Sequence, residues 1–126
     1  ITHPSMRNTR SSSFNAPATR LDDMVREFGL DPSMIKVDVE GAEHKVFAGA
    51  VETLKRHRPV VISELSNPLL KGLGSSSAEV VAFFRALDYR VIDPMDPKAE
   101  PGGREYGDIL CVPNGSAPQH RAARKA

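Results

Sequence analysis

Two short β-branched runs with a helical stretch between them constrain this chain more than any other feature. Met34-Ile-Lys-Val-Asp-Val-Glu40 admits charge only at alternate positions, the pattern of a strand. Val60-Val-Ile-Ser-Glu-Leu65 is almost continuously apolar, as expected of a parallel strand covered on both faces. Gly41 breaks the first run, and residues 42–57 then carry Val46, Phe47, Ala50, Val51 and Leu54 at helical spacing. That helix ends in Lys55-Arg-His-Arg58, where cations offset the negative end of the macrodipole, and Pro59 prevents its continuation. Strand, helix and strand in this order read as a right-handed parallel crossover.

The rest of the chain extends the pattern. Residues 1–18 read as an irregular leader. Thr19 offers an N-cap with Asp22 three residues on, and Leu21, Met24, Val25 and Phe28 follow on one helical face, with Gly29 placed to end the helix. Asn67-Pro68 closes the second strand, and residues 72–77 form a loop. Ser77 is placed to cap a helix from Ala78 to about Leu87 with Val80, Val81, Phe84 and Leu87 inward. Tyr89 to Asp93 is a third strand, and Asp108 to Val112 is a fourth, joined to it by a Pro- and Gly-rich connection without a helix. The last two strands are therefore expected to pair antiparallel. The predicted class is α/β, a partial domain over residues 19–113 followed by a disordered basic tail, 114–126.

Composition sets outer limits. At 126 residues and 40% hydrophobic content the chain has material for one modest domain. Seventeen Lys and Arg against 16 Asp and Glu leave no global field to attract nucleic acid or a membrane, and neither is expected as a partner. Cys111 is the single cysteine, which excludes an internal disulfide, and its apolar setting predicts a buried structural thiol. No run approaches the roughly 18 apolar residues of a membrane span, and no leader resembles a signal peptide, so the expected location is the cytoplasm.

The chemistry concentrates where an open α/β sheet presents its site, at the carboxyl ends of the parallel strands. Asp38, Glu40 and Glu43 gather around the end of the first strand, with Glu64 at the end of the next. Glu43 in a first helical turn also reads as a favourable dipole partner. A carboxylate ending an apolar strand is costly to desolvate, which marks Asp38 and Glu64 as the functional pair. The residue types leave open a general base, a cation-binding group and a divalent metal site. His44 stands one turn away as a further acid or base, whereas His3, His57 and His120 show no ligand spacing.

Three segments resemble one family. Ile35-Lys-Val-Asp-Val-Glu-Gly-Ala-Glu43 closely resembles the signature of FkbM-type methyltransferases. Thr19-Arg-Leu-Asp-Asp23 is similar to the helix that precedes it there, and Arg58-Pro-Val-Val-Ile-Ser-Glu64 to the next strand; Gly49-Ala50 also matches the pattern. The resemblance implies a Rossmann-like class I methyltransferase sheet of seven strands, of which this chain supplies the fourth to the seventh, its C-terminal half. It implies transfer of a methyl group from S-adenosylmethionine to a hydroxyl on a sugar, polyketide or other small natural product. Asp38 is then expected at the junction of cofactor and acceptor, Asp38 or Glu64 as catalytic base, and Glu40, Glu43 and His44 on the substrate side. No metal ligand is assigned, although a divalent metal remains compatible. The family's Gly-rich cofactor turn and ribose-binding acid are not in this sequence, which begins at Ile1 and is expected to be an inactive fragment. Two other readings stay open: an assembly module that self-associates through an exposed sheet edge, and a metal-dependent hydrolase using Asp38, Glu40 and Glu64.

Overall fold

The computed structural model describes residues 12–115. Most of the expected leader and basic tail, with His3 and His120, lies outside them. The element order is α1 (Leu21–Phe28), β1 (Met34–Val37), α2 (Glu43–Ala48), α3 (Val51–His57), β2 (Val60–Ser66), α4 (Asn67–Gly72), α5 (Ser77–Ala86), β3 (Tyr89–Ile92) and β4 (Tyr106–Pro113).

The strands form one mixed sheet in the order β1-β2-β4-β3. β1 and β2 are parallel, with Val37 beside Ser63. β4 runs antiparallel to both of its neighbours, pairing Glu64 with Asp108 on one side and Val91 with Cys111 on the other. The antiparallel last strand was legible from the lack of a helix between it and β3. Its insertion between β2 and β3 was not, because nothing local in β4 says which partner lies on its second edge.

Burial alternates along β2 and β4, so the helices cover one face of the sheet and leave the other partly open among the described residues. The expectation that β2 is covered on both faces is therefore corrected: Val60 and Ile62 are only half-buried. On the covered face Val37, Val61, Leu65, Ile109 and Cys111 meet Phe47, Leu54, Val80 and Phe84. Phe84 sits edge-on to both Phe47 and Tyr89, with centroids 4.7 and 5.4 Å away. The Tyr89 hydroxyl donates to the Pro59 carbonyl at 2.8 Å, so this buried phenol is satisfied. Burial pushes the Cys111 thiol up, as befits a structural rather than nucleophilic cysteine.

Several local expectations change. Thr19 does not cap α1; Arg20 holds the N-cap position without a side-chain bond, because Asp22 turns inward. Gly29 does end α1 in the left-handed conformation, yet Phe28 projects into solvent, and the residues of α1 that turn inward are Asp22 and Val25. The single helix expected over 42–57 is two, broken at Gly49 and Ala50. Asn67-Pro68, read only as the close of the second strand, opens a helix, α4, over residues 67–72, capped by the Ser66 hydroxyl and with Pro68 in its first turn. Ser76, one residue earlier than predicted, caps α5.

Candidate functional site

β1 ends at Val37, three residues short of the predicted end at Glu40, because the chain turns sharply there. Glu40 and Gly41 both adopt positive φ, 56° and 99°, a pairing that costs backbone energy at Glu40. Gly41 is required for a second reason. A Cβ there would lie 2.6 Å from the Leu69 carbonyl oxygen of α4, closer than atoms can approach.

Glu43 holds this turn. Its side chain is buried, and the amides of Val39 and Gly41 donate to its two oxygens at 2.8 and 3.0 Å. These charge-assisted bonds satisfy a carboxylate that burial would otherwise penalise. Glu43 was expected on the substrate side; its oxygens are committed to the backbone, so it shapes the site from beneath. His44, beside it, is half-buried. Its Nε2 lies 3.1 Å from the Leu73 carbonyl, which makes Nε2 the donor and leaves Nδ1 buried without a partner among the described residues.

Above the turn, Asp38, Glu40 and Glu64 converge: one oxygen from each lies within 4.8 Å of the others, and all three side chains are exposed. Exposure weakens the desolvation argument that singled out Asp38 and Glu64; what joins them is the register of two parallel strands at their carboxyl ends. Asp108 enters from β4 directly opposite Glu64 and on the same face, a residue that sequence reasoning missed because it required knowing that β4 pairs with β2. Partial desolvation, followed by the negative charges of Asp38, Glu40, Asp108 and Glu43, raises the Glu64 pKa. Among the described residues no cation or hydrogen-bond donor engages this group. Carboxylates so disposed can take a proton, face a cationic ligand or accept a hard divalent metal.

A second acid that reads similarly in sequence behaves differently. Asp22 is buried, and its oxygens accept from the Thr53 hydroxyl at 2.7 Å and from the Thr53 and Glu52 amides at 2.8 and 3.2 Å. It thereby caps α3 from another helix, which explains the break at Gly49 and Ala50. Burial alone would raise its pKa, but the Thr53 and Glu52 bonds and nearby Arg20 outweigh that, and the net direction is down. A cavity of about 390 Å³ lies in the α1–α3 crevice beside it, lined by Val25, Arg26, Arg56 and His57 among others, and away from the acidic cluster.

No helix of the described residues is long and apolar enough to cross a membrane. No curated protein and no solved structure matches the chain. The family model described as the methyltransferase FkbM domain matches residues 1–91, a span that contains the turn, β1, β2 and every acid of the cluster except Asp108. The chain belongs to the FkbM methyltransferase domain family.

Proposed function

We propose that this chain is the C-terminal half of a Rossmann-like, S-adenosylmethionine-dependent O-methyltransferase whose acceptor is a hydroxyl on a sugar, polyketide or other small natural product. The observation that carries this reading is the convergence of Asp38, Glu40 and Glu64 at the carboxyl ends of two parallel strands, on a strained turn, in a methyltransferase-family chain.

The residues present fit one end of the cofactor. Exposed carboxylates complement a positively charged sulfonium, whereas the described residues supply no glycine-rich turn for the nucleotide. When bound, S-adenosylmethionine supplies an electrophilic methyl group. Asp38 is the carboxylate we assign to that junction. Glu64 accepts the proton of the acceptor hydroxyl, a role favoured by its raised pKa, since a more basic carboxylate holds a proton better at neutral pH. Glu40 contacts the acceptor, Glu43 fixes the turn that aims Asp38 and Glu40, and His44 ties α2 to the loop after α4. A cytoplasmic location accords with this role.

One observation favours a second reading, a non-catalytic assembly module. Ser33 directs its carbonyl at Val60, so the alternating pattern of a parallel ladder points the amides and carbonyls of Met34 and Lys36 away from β2, along an edge unpaired among the described residues. Isothermal titration of S-adenosylhomocysteine separates the two. It is run on the 126-residue chain and on the same chain extended at its amino end by its gene. Binding by the extended polypeptide alone is the expected result. No binding by either overturns the methyltransferase reading and favours the module. A metal-dependent hydrolase predicts instead saturable magnesium or manganese binding at Asp38, Glu40 and Glu64.

A further inference from the structure

Among the described residues of the four strands, Tyr106 is the large aromatic on the open face of the sheet at the end where the acids lie. It is 63% exposed, at the start of β4, paired in register with Ser66. Strand alternation places it on the same face as Asp108 and Glu64, about 7 Å along the strand from Asp108. No ring contact engages it among the described residues, in contrast to Tyr89 in the core.

The backbone beneath Tyr106 is held at several points. Asp93 accepts from the Met95 and Asp96 amides with one oxygen and from Arg104 Nε with the other at 2.9 Å, clamping both ends of the connection between β3 and β4. The bond from Met95, ahead of the cost of burial, holds the Asp93 carboxyl below its usual range, with Asp96 and Arg104 adding to it. The Asn67 amide donates to the Glu105 carbonyl at 2.8 Å, tying the residue before Tyr106 to α4. An exposed ring on a fixed backbone, next to carboxylates with spare acceptor capacity, has the chemistry to recognise a pyranose. Apolar C–H groups on one face of the sugar pack on the ring, and its hydroxyls donate to the acids. Fixing the ring in advance lowers the ordering cost of binding.

We infer that Tyr106 is the acceptor platform and that the acceptor presents a pyranose ring, with Asp108 as a hydroxyl acceptor beside it. This rests on the methyltransferase reading for the identity of the site, but binding of the sugar does not require the cofactor.

The chain has no tryptophan and two tyrosines, so Tyr106 is a resolvable reporter in proton NMR. The probes are methyl glycosides of the common hexoses and 6-deoxyhexoses, titrated into the 126-residue chain, with glycerol as a polyol lacking a ring. At least one glycoside should shift the Tyr106 ring signals saturably while glycerol does not. In the Tyr106→Ala variant, followed through the amides of residues 107–109, the affinity should fall at least tenfold, and Tyr106→Phe should keep most of it. If no glycoside moves these signals, or if Tyr106→Ala binds as the unmodified chain does, the inference is overturned. Titrating S-adenosylhomocysteine into the extended polypeptide keeps the two ideas apart. Glycoside binding without cofactor binding sinks the methyltransferase reading alone, and cofactor binding with no glycoside response sinks the platform alone.

Discussion

Asp22 and Glu64 are both acids in family-like segments, and the structure treats them in opposite ways. Asp22 is surrounded by three donors from α3, which lower its pKa despite burial. Glu64 meets no donor among the described residues, and partial desolvation, followed by the carboxylates around it, raises its pKa. The first arrangement stabilises the fold. The second holds like charges together at a cost, a common mark of a functional site. Substituting Glu64 should therefore cost activity while raising stability, whereas substituting Asp22 should cost stability.

The largest effect is expected at the acidic cluster. Glu64→Gln should lower the methyl-transfer rate of the extended polypeptide by about 10²–10⁴-fold, the usual contribution of a general base. The same change should raise the thermal midpoint of the 126-residue chain slightly, by roughly 1–4 °C at pH 7, because a repelled charge disappears. The sign follows from the raised pKa. Ionised Glu64 is disfavoured in the folded chain, so the cost exists only above its pKa, and the gain from Gln should vanish in acid where Glu64 is already neutral. A stability loss on calorimetry would mean that Glu64 has a partner and belongs with Asp22.

Gly41→Ala tests the turn without touching a carboxylate. The added methyl meets the Leu69 carbonyl at 2.6 Å on a backbone at φ 99°, so the turn or α4 must move. Denaturant unfolding should show a loss of about 3–4 kcal/mol. Asp22→Ala should cost somewhat less, about 2–3 kcal/mol, by leaving the Glu52 and Thr53 amides and the Thr53 hydroxyl without their acceptor. Because the folded pKa of Asp22 is depressed, that stabilisation is present above its unfolded value of about 4 and is lost as pH falls through the folded one. The gap between Asp22→Ala and the unmodified chain should therefore narrow below about pH 4.

The same contrast explains what could be read in advance. The α/β class and the parallel pair followed from periodicity, the antiparallel last strand from the lack of a helix before it, and the gathering of Asp38, Glu40 and Glu64 from their places at the ends of two strand runs. Asp22 was read as part of a local cap, whereas its donors are some thirty residues away, a pairing that helical periodicity does not encode. Glu43 looked like the acids beside it, and only the turn shows that its oxygens face Val39 and Gly41. Asp108 and Tyr106 come beside the end of β2 through the β2–β4 register, which depends on a long-range partner choice.

The smallest predicted effect probes the cluster most finely. Asp108 lies opposite Glu64 on the neighbouring strand, and its charge is among those that raise the Glu64 pKa, after partial desolvation, Asp38 and Glu40. Asp108→Asn keeps the size and hydrogen-bonding capacity of the side chain but removes the charge. With one repulsion gone, ionised Glu64 is less disfavoured and its pKa falls. The acid limb of the pH profile for kcat/KM in the extended polypeptide should then move to lower pH by less than about one unit; the position of the limb is the readout, because the plateau also reports contact of Asp108 with the acceptor. The same substitution at Asp96, which bonds the Lys98 amide and is not among the charges raising Glu64, should leave that limb in place. An acid limb unmoved by Asp108→Asn would mean that a group other than Glu64 takes the proton, with Asp38 the next carboxylate to test.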